Sequence, residues 1–600
     1  LSFARDEMKK NFILSKLSAA TPDPCRYLLQ NVSLQDTLTR LSQLDDYESL
    51  IGEIRREAAS LLQETIPELH YHVFKLFQET GSRSEYERLY FRRRKRLTVF
   101  GILSLLEPDH VLYREALCEI IRSICDESTW CLPAHYRDEW SIDLFVAETA
   151  FALSEILALY GDGLPELLRE RVILEIENRV FEPFEKKGPY DWETATHNWA
   201  SVCAGSIGAA AIYLLTETDR LAAFLERVIC AMDFYLQGFE TDGACAEGYS
   251  YWQYGFGFFV YFADLLKQRT SGGINLFVLD KVGQIALFQQ KCFLDDRKVV
   301  NFSDSVPESG VYLGLTHYLK TLYDEVHVPD ASLRAVFNDD HCSRWVPAIR
   351  NLLWLRNEAG SPWPAMSYYM ENTQWFVSRS VLGDGRYAFA AKGGHNAEPH
   401  NHNDIGQFIL AVNGNPIMLD LGSGQYSRDY FGPARYDILC NGSQGHSVPI
   451  INGACQKPGR DAMATIREAS ISEEYDVFAI EMSSAYDTEQ LLQLVRTFTW
   501  VKTELRLELA DRYTFAESPR SITERFIVLQ PPELASEGIL VIRDGPSLLS
   551  IAFDPEQLDW VTESLLHVDH FGNRVNCFAL DFSVKSPSLT DFIKLSFSLR

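Results

Sequence analysis

A chain of 600 residues is too long for one ordinary hydrophobic core, so two or more domains are expected. Its 46% apolar and 23% charged residues, without a low-complexity tract, exclude a disordered or fibrous protein. Fifty-six Lys and Arg against 83 Asp and Glu leave a formal charge of −27, which argues against a general nucleic-acid or membrane-surface binder but admits an acidic ligand in a locally basic cleft.

The N-terminal LSFARDEMKKNFILSKL lacks the apolar core and small-residue cleavage site of a signal peptide. No window approaches the roughly 18 consecutive apolar residues of a membrane span. The twelve cysteines are scattered, and Cys118, Cys203 and Cys230 fall in helical apolar patterns that suit buried thiols. These readings favour a reducing, cytoplasmic location. A leader removed ahead of Leu1 would instead make the protein periplasmic or secreted.

From about Leu38 to Asn357 the apolar residues recur at i, i+3, i+4 and i+7, as in DDYESLIGEIRREAASLLQE and DLFVAETAFALSEILALYG. Short Gly, Pro and Asp breaks separate these segments, which predicts successive antiparallel helical pairs stacked as a solenoid or toroid. YERLYFRRRKRL is the one strongly basic run, with Arg94 at its centre. Such a run is usually a solvated helix face and here is also a candidate anion contact. STWCLPAHYRDEWSIDLF adds Trp130, His135 and Trp140, which either line a cleft or cover the core.

In DWETATHNWASVCAGSIGAAAIYLL, His197, Asn198 and Trp199 stand where a small-residue helix begins; the plain reading is a capping Asn and a half-buried His. DGACAEGYSYWQYGFGFF then crowds Tyr249, Tyr251, Trp252 and Tyr254 together. Aromatic crowding is usually core, but three phenols within six residues all need partners, and carbohydrate sites use flat rings with polar tips.

Around Pro362–Ser367 the pattern turns to period two, as in IGQFILAV, YDVFAIEMSSAY and LRLELADRYTF. Helices followed by strands predict an all-α domain over residues 1–365 and an antiparallel all-β domain over 366–600. Within the second, three of the fourteen histidines (His395, His400 and His402) fall within eight residues, followed by Asp420 and His446. Imidazoles with one carboxylate suit zinc and similar divalent ions. If the HNHND segment is extended, His400 and His402 point to one face. Asn413-Gly414 signals a two-residue hairpin turn that pairs Asp420 with Gln407, so a site shared by His402 and Asp420 requires HNHND to bend back, as at a bulge.

HNWASVCAGS, EGYSYWQYG, HNHNDIGQF with Asp420, and QGHSVPIING together resemble the heparinase II/III-like polysaccharide lyases, a group of glycosaminoglycan lyases and exo-acting oligoalginate lyases. The four motifs keep their order within a match from about residue 86 to 460. The resemblance implies an N-terminal incomplete (α/α) toroid and a C-terminal antiparallel β-sandwich. It implies that His402, Asp420 and His446 hold a divalent metal, zinc by default with manganese or calcium as other occupants, in a structural role. It implies catalytic roles for Asn198, His197, Tyr251 and His400, with Tyr254 close enough in spacing to be confused with Tyr251. Ala200 stands where some relatives carry an acidic residue.

The implied chemistry is β-elimination. Asn198 and His197 neutralise a uronate carboxylate, Tyr251 serves as acid and for one epimer as base, and His400 is the base for the other epimer. Arg94, His135, Trp199 and Tyr254 are expected to touch substrate. The leading substrates are heparan sulfate or heparin, hyaluronan and chondroitin, with the arginine run favouring sulfated chains. Alginate, a non-catalytic acidic-sugar-binding role, and a glycoside hydrolase using Glu193, Glu247 or Asp242 are the alternatives.

Overall fold

The computed structural model describes residues 9–20, 23–30, 32–44, 47–488 and 490–600. The chain divides into two compact units. Unit 1 comprises Leu1–Phe239, Tyr251–Ala286 and Gly310–Ser361, and unit 2 comprises Glu240–Ser250, Leu287–Ser309 and Pro362–Arg600. The N-terminal region is helical and the C-terminal region consists of antiparallel sheets, as the change of apolar period predicts. Segments 240–250 and 287–309, which periodicity places among the helices, fold with the strands instead.

Unit 1 is organised around the Asn198–Leu214 helix, in which 15 of 17 residues are buried. Its alanines favour helix, and its glycines set the packing distance. A Cβ on Gly205 would meet Met232 Cε at 2.8 Å, and one on Gly208 would meet Phe262 Cε2 at 2.6 Å. The helix therefore lies close to both Thr218–Gln237 and Gly257–Arg269, with Leu144–Tyr160 as a further neighbour. Leu144–Gly163 is long and apolar enough in composition to cross a membrane, but most of it is buried inside the unit.

The basic run lies on the Ser84–Leu106 helix and is consumed internally. Arg92 pairs with Glu64, and Arg93 and Arg94 both pair with Glu127. Lys95 lies 3.5 Å from Glu57, and Arg96 donates to the carbonyls of Leu61 and Glu64. The expectation of an anion contact at Arg94 is corrected here. Arg94 is 8% exposed, and its donors go to Thr149, Tyr90 and both oxygens of Glu127. A buried guanidinium is tolerated only when paired in this way.

In unit 2 a nine-stranded sheet runs in the order Leu558–Val568, Arg574–Val584, Ile522–Val528, Asn415–Met418, Phe408–Val412, Gly385–Lys392, Trp375–Leu382 and Ser367–Met370, with Pro449–Ile451 also pairing with Ile522–Val528. An eight-stranded sheet contains Thr465–Ile471, Tyr475–Glu481, Leu491–Val501, Arg506–Phe515 and Thr590–Leu599 in sequence, then Ser547–Ala552, Ile539–Asp544 and Glu533–Ser536. The two sheets share one core, in which Phe389 and Phe408 of the first meet Phe498 of the second at 5.5 and 5.4 Å between ring centroids. None of the twelve cysteines is joined in a disulfide.

Candidate active site and metal centre

Asn413 and Gly414, both with positive φ, turn Phe408–Val412 back onto Asn415–Met418, as predicted. The bulge lies inside this pair, between Leu410 and Ala411, and not in HNHND. HNHND itself is a loop, with His400 at φ +56° and Gly406 at φ +90°, so strand alternation does not orient its histidines. Buried charges hold the loop instead. Lys392, 1% exposed, reaches Asp404 at 2.8 Å and Glu398 at 3.6 Å. Arg496 is fully buried against Asp511 and Glu524, and donates to the carbonyls of Gly406 at 3.1 Å and Ser447 at 2.8 Å. One guanidinium thus fastens the end of the His402 loop and the residue after His446.

His402, Asp420 and His446 come together, each offering one ligand atom within 4.8 Å of the others, and all three are buried. His402 Nδ1, His446 Nδ1 and Asp420 Oδ2 have no hydrogen-bond partner, although the last two lie 3.3 Å apart. Buried polar atoms are normally satisfied, so three orphans converging on one point fit a divalent cation. The other ring nitrogens are anchored. His446 Nε2 lies 2.8 Å from the Cys440 carbonyl, and His402 Nε2 lies 3.0 Å from Asp304 Oδ1. Asp420 Oδ1 accepts from the Gly422 amide, and Asn301 Nδ2 donates to the Asp420 carbonyl. Burial raises the Asp420 carboxyl, but the adjoining His446 outweighs it and holds the group below the usual carboxylate range. His567 is also buried, with Nε2 lacking a partner, and feels the charges of Asp420, His402 and His446.

His400 belongs to the same cluster through Asp304, whose Oδ2 lies 2.9 Å from its Nδ1. Its Nε2 lies 3.7 Å from Glu247 Oε2. Burial pulls the imidazole pKa down, but the hydrogen bond to Asp304 and the charges of Glu247 and Asp304 carry it above the usual value. Asp304, Lys392 and Arg496 were missed by sequence reasoning, and Glu247, read there as a hydrolase carboxylate, lies beside His400. Asp304 sits in NFSDS, which has no motif spacing, and its only signal is a polar run in a segment that proves buried at every position from Asn301 to Ser305.

In unit 1 the helix cap is His197, whose side chain accepts from the Trp199 amide, and Asn198 is the first helical residue; the capping-Asn reading is corrected. Asn198 is 4% exposed and packs against Gly255, where an added Cβ would lie 3.0 Å from the Asn198 Cβ. His135 lies edge-on to Trp199 at 5.0 Å between centroids, its Nδ1 2.9 Å from Asp143. Tyr251 ends a helical turn, and Trp252–Phe256 continues as π-helix, a distortion common at functional sites. The Tyr254 hydroxyl is hydrogen-bonded to the Glu148 carboxylate, Arg344 lies over its ring at 4.2 Å, and burial pushes its pKa well above 10. A surface cavity of about 820 Å³ in unit 1, lined by Val111, Cys118, Leu164 and Arg169 among others, contains none of these residues.

No family model matches the sequence, and no curated protein matches it. Solved structures do. The chain is similar to heparan sulfate lyase HepC from Pedobacter heparinus, at 12% identity over 98% of this chain and 87% of that one, with a TM-score of 0.60. It is similar to a heparinase III at 13% identity, over 99% and 89% of the two chains, with a TM-score of 0.64. The chondroitin AC lyase of Streptomyces coelicolor A3 in complex with chondroitin sulphate follows at 10% identity, 94% and 82% coverage and a TM-score of 0.51. The fold is therefore a polysaccharide-lyase fold. Among these it is the one shared by heparinase III and chondroitin AC lyase, in line with the motif resemblance.

Proposed function

We propose that the protein is a polysaccharide lyase that cleaves uronic-acid-containing glycosaminoglycan chains or oligosaccharides by β-elimination, leaving unsaturated uronate ends. The observation that carries the reading is His400, an imidazole with raised pKa anchored on a buried carboxylate and adjoining a triad fit for a metal, in a chain with a lyase fold. In this reading the paired helices of unit 1 form an incomplete toroid and the two sheets of unit 2 a sandwich.

The C5 proton of a uronate is very weakly acidic until the adjoining carboxylate is neutralised. Asn198, helped by His197, donates to that carboxylate and stabilises the enolate-like charge. Tyr251 gives its proton to the departing C4 oxygen and for one epimer also removes the C5 proton, while His400 is the base for the other epimer. The motif resemblance gives this role to Tyr251, and the hydrogen bond of the Tyr254 hydroxyl to Glu148 supports that choice. A divalent ion, zinc by its donor set with manganese or calcium as alternatives, would be held by His402, Asp420 and His446 and would order their segments. Elimination consumes no water, so His402, Asp420 and His446 have a structural task. The hydrolase alternative loses one carboxylate, since Glu193 is engaged by Arg227 and the Tyr190 amide.

Internal pairing of Arg92–Arg96 withdraws the argument for sulfate, so oligoalginate stands beside the glycosaminoglycans as a second substrate class. The test is ultraviolet absorbance of the new C4–C5 double bond during incubation with a panel of uronate polymers and oligosaccharides. Absorbance should rise on at least one glycosaminoglycan, and Tyr251→Phe should lower kcat by about 10²-fold or more. Reducing ends without that absorbance would mean hydrolysis, and absence of any reaction would favour a sugar-binding role.

A further inference from the structure

Asp304 contacts both histidines of HNHND. Its Oδ1 takes the His402 Nε2 at 3.0 Å and the Tyr430 hydroxyl at 2.5 Å. Its Oδ2 takes the His400 Nδ1 at 2.9 Å, and Arg435 lies 3.2 and 3.3 Å from the two oxygens. The carboxylate side chain is fully buried and ringed by donors on both oxygens. Such a group has one stable state, an anion that accepts from everything around it. Each imidazole must therefore present an N–H to it. In the neutral ring this puts the basic lone pair of His402 on Nδ1, the nitrogen that has no partner beside Asp420 and His446, and the lone pair of His400 on Nε2.

We propose that Asp304 is a shared positioning residue, fixing the tautomer and orientation of the metal-ligating His402 and of the base His400 at once, so that metal binding and proton abstraction depend on one carboxylate. The His400 half rests on the lyase reading; the His402 half does not. A carboxylate hydrogen-bonded to the far nitrogen of a ligating histidine commonly governs metal affinity about 10–100-fold, and removal of a tautomer-fixing carboxylate from a catalytic histidine can lower turnover by about 10⁴-fold.

The experiment uses the full chain and Asp304→Asn, with zinc as the probe. Zinc affinity is read by competition with a chromophoric chelator without substrate. Reactivity of His400 towards diethyl pyrocarbonate is read by peptide mass mapping at saturating zinc. Turnover of a uronate oligosaccharide is read at saturating zinc. In D304N, zinc should bind about 10–100-fold more weakly, and at saturating zinc His400 should react several-fold more slowly while kcat falls by about 10²-fold or more and KM stays within about threefold. Wild-type zinc affinity in D304N would overturn the His402 half. Wild-type His400 reactivity and kcat once zinc is saturating would overturn the His400 half, leaving a residue that only builds the metal site. A wild-type protein without turnover would sink the lyase reading, and the zinc and His400 measurements would still decide whether Asp304 positions the two rings. If D304N does not fold, Asp304→Glu keeps the charge and shifts the oxygens by one methylene. Weaker zinc binding with slower turnover is then expected, and unchanged values of both would overturn the proposal.

Discussion

At Arg94 a charged residue that looks available in sequence is committed in the fold. Its partner Glu127 also serves Arg93, so the pair is a buried network in which each charge needs the others. Arg94→Ala should destabilise the protein by about 3–5 kcal/mol in urea unfolding while leaving KM for a uronate substrate unchanged. Raised KM with unchanged stability would return Arg94 to the substrate-binding set. Glu148 gives a pH test. Burial, outweighing the attraction of Arg344 and the Tyr254 hydrogen bond, lifts its carboxyl from 4.5 to about 7. The folded state then keeps a proton that the unfolded chain has released, so this group's contribution to stability falls as pH rises from 4.5 to about 7. Relative to wild type, Glu148→Gln should show a flatter decline across that window in urea unfolding. Equal pH slopes for the two proteins would refute the shift.

Turns and loops, more than strands, position the candidate metal ligands. Gly422 has φ +63°, and a Cβ there would lie 2.3 Å from the Ser305 carbonyl oxygen. The neighbouring Ser423 amide donates to that same oxygen, so the Asp420 turn is seated closely on the 301–305 segment. Gly422→Ala should displace the turn, costing more than about 1 kcal/mol of stability and weakening zinc binding in a chelator competition. Unchanged affinity would mean that the turn can shift without moving Asp420. The Asn413-Gly414 hairpin was legible because its turn chemistry is local. The bulge at Leu410/Ala411 and the left-handed His400 were not, since they answer to packing by residues distant in sequence.

For the protein as a whole, a structural metal makes one joint prediction. Chelation should lower the melting temperature and the turnover together, and zinc at a hundred times its Kd should restore about 2.7 kcal/mol. Turnover that survives full metal removal at a temperature where the protein stays folded would separate the metal from the reaction. The sequence by itself determined the succession of helices and antiparallel strands, because the apolar period changes from 3.6 to 2 and period is a local property. It also held residue types suited to a metal, but the choice of His402, Asp420 and His446 came from the motif resemblance, and their convergence is a property of the fold. Only the tertiary structure decided that Asp304, about a hundred residues before His402, is the carboxylate behind both histidines. It alone decided that the arginine run is neutralised from within and that Tyr254 is engaged by Glu148. The physical reason is the same in each case. A polar group's role depends on which partners share its burial, and those partners are brought by contacts between distant segments, which no spacing along the chain records.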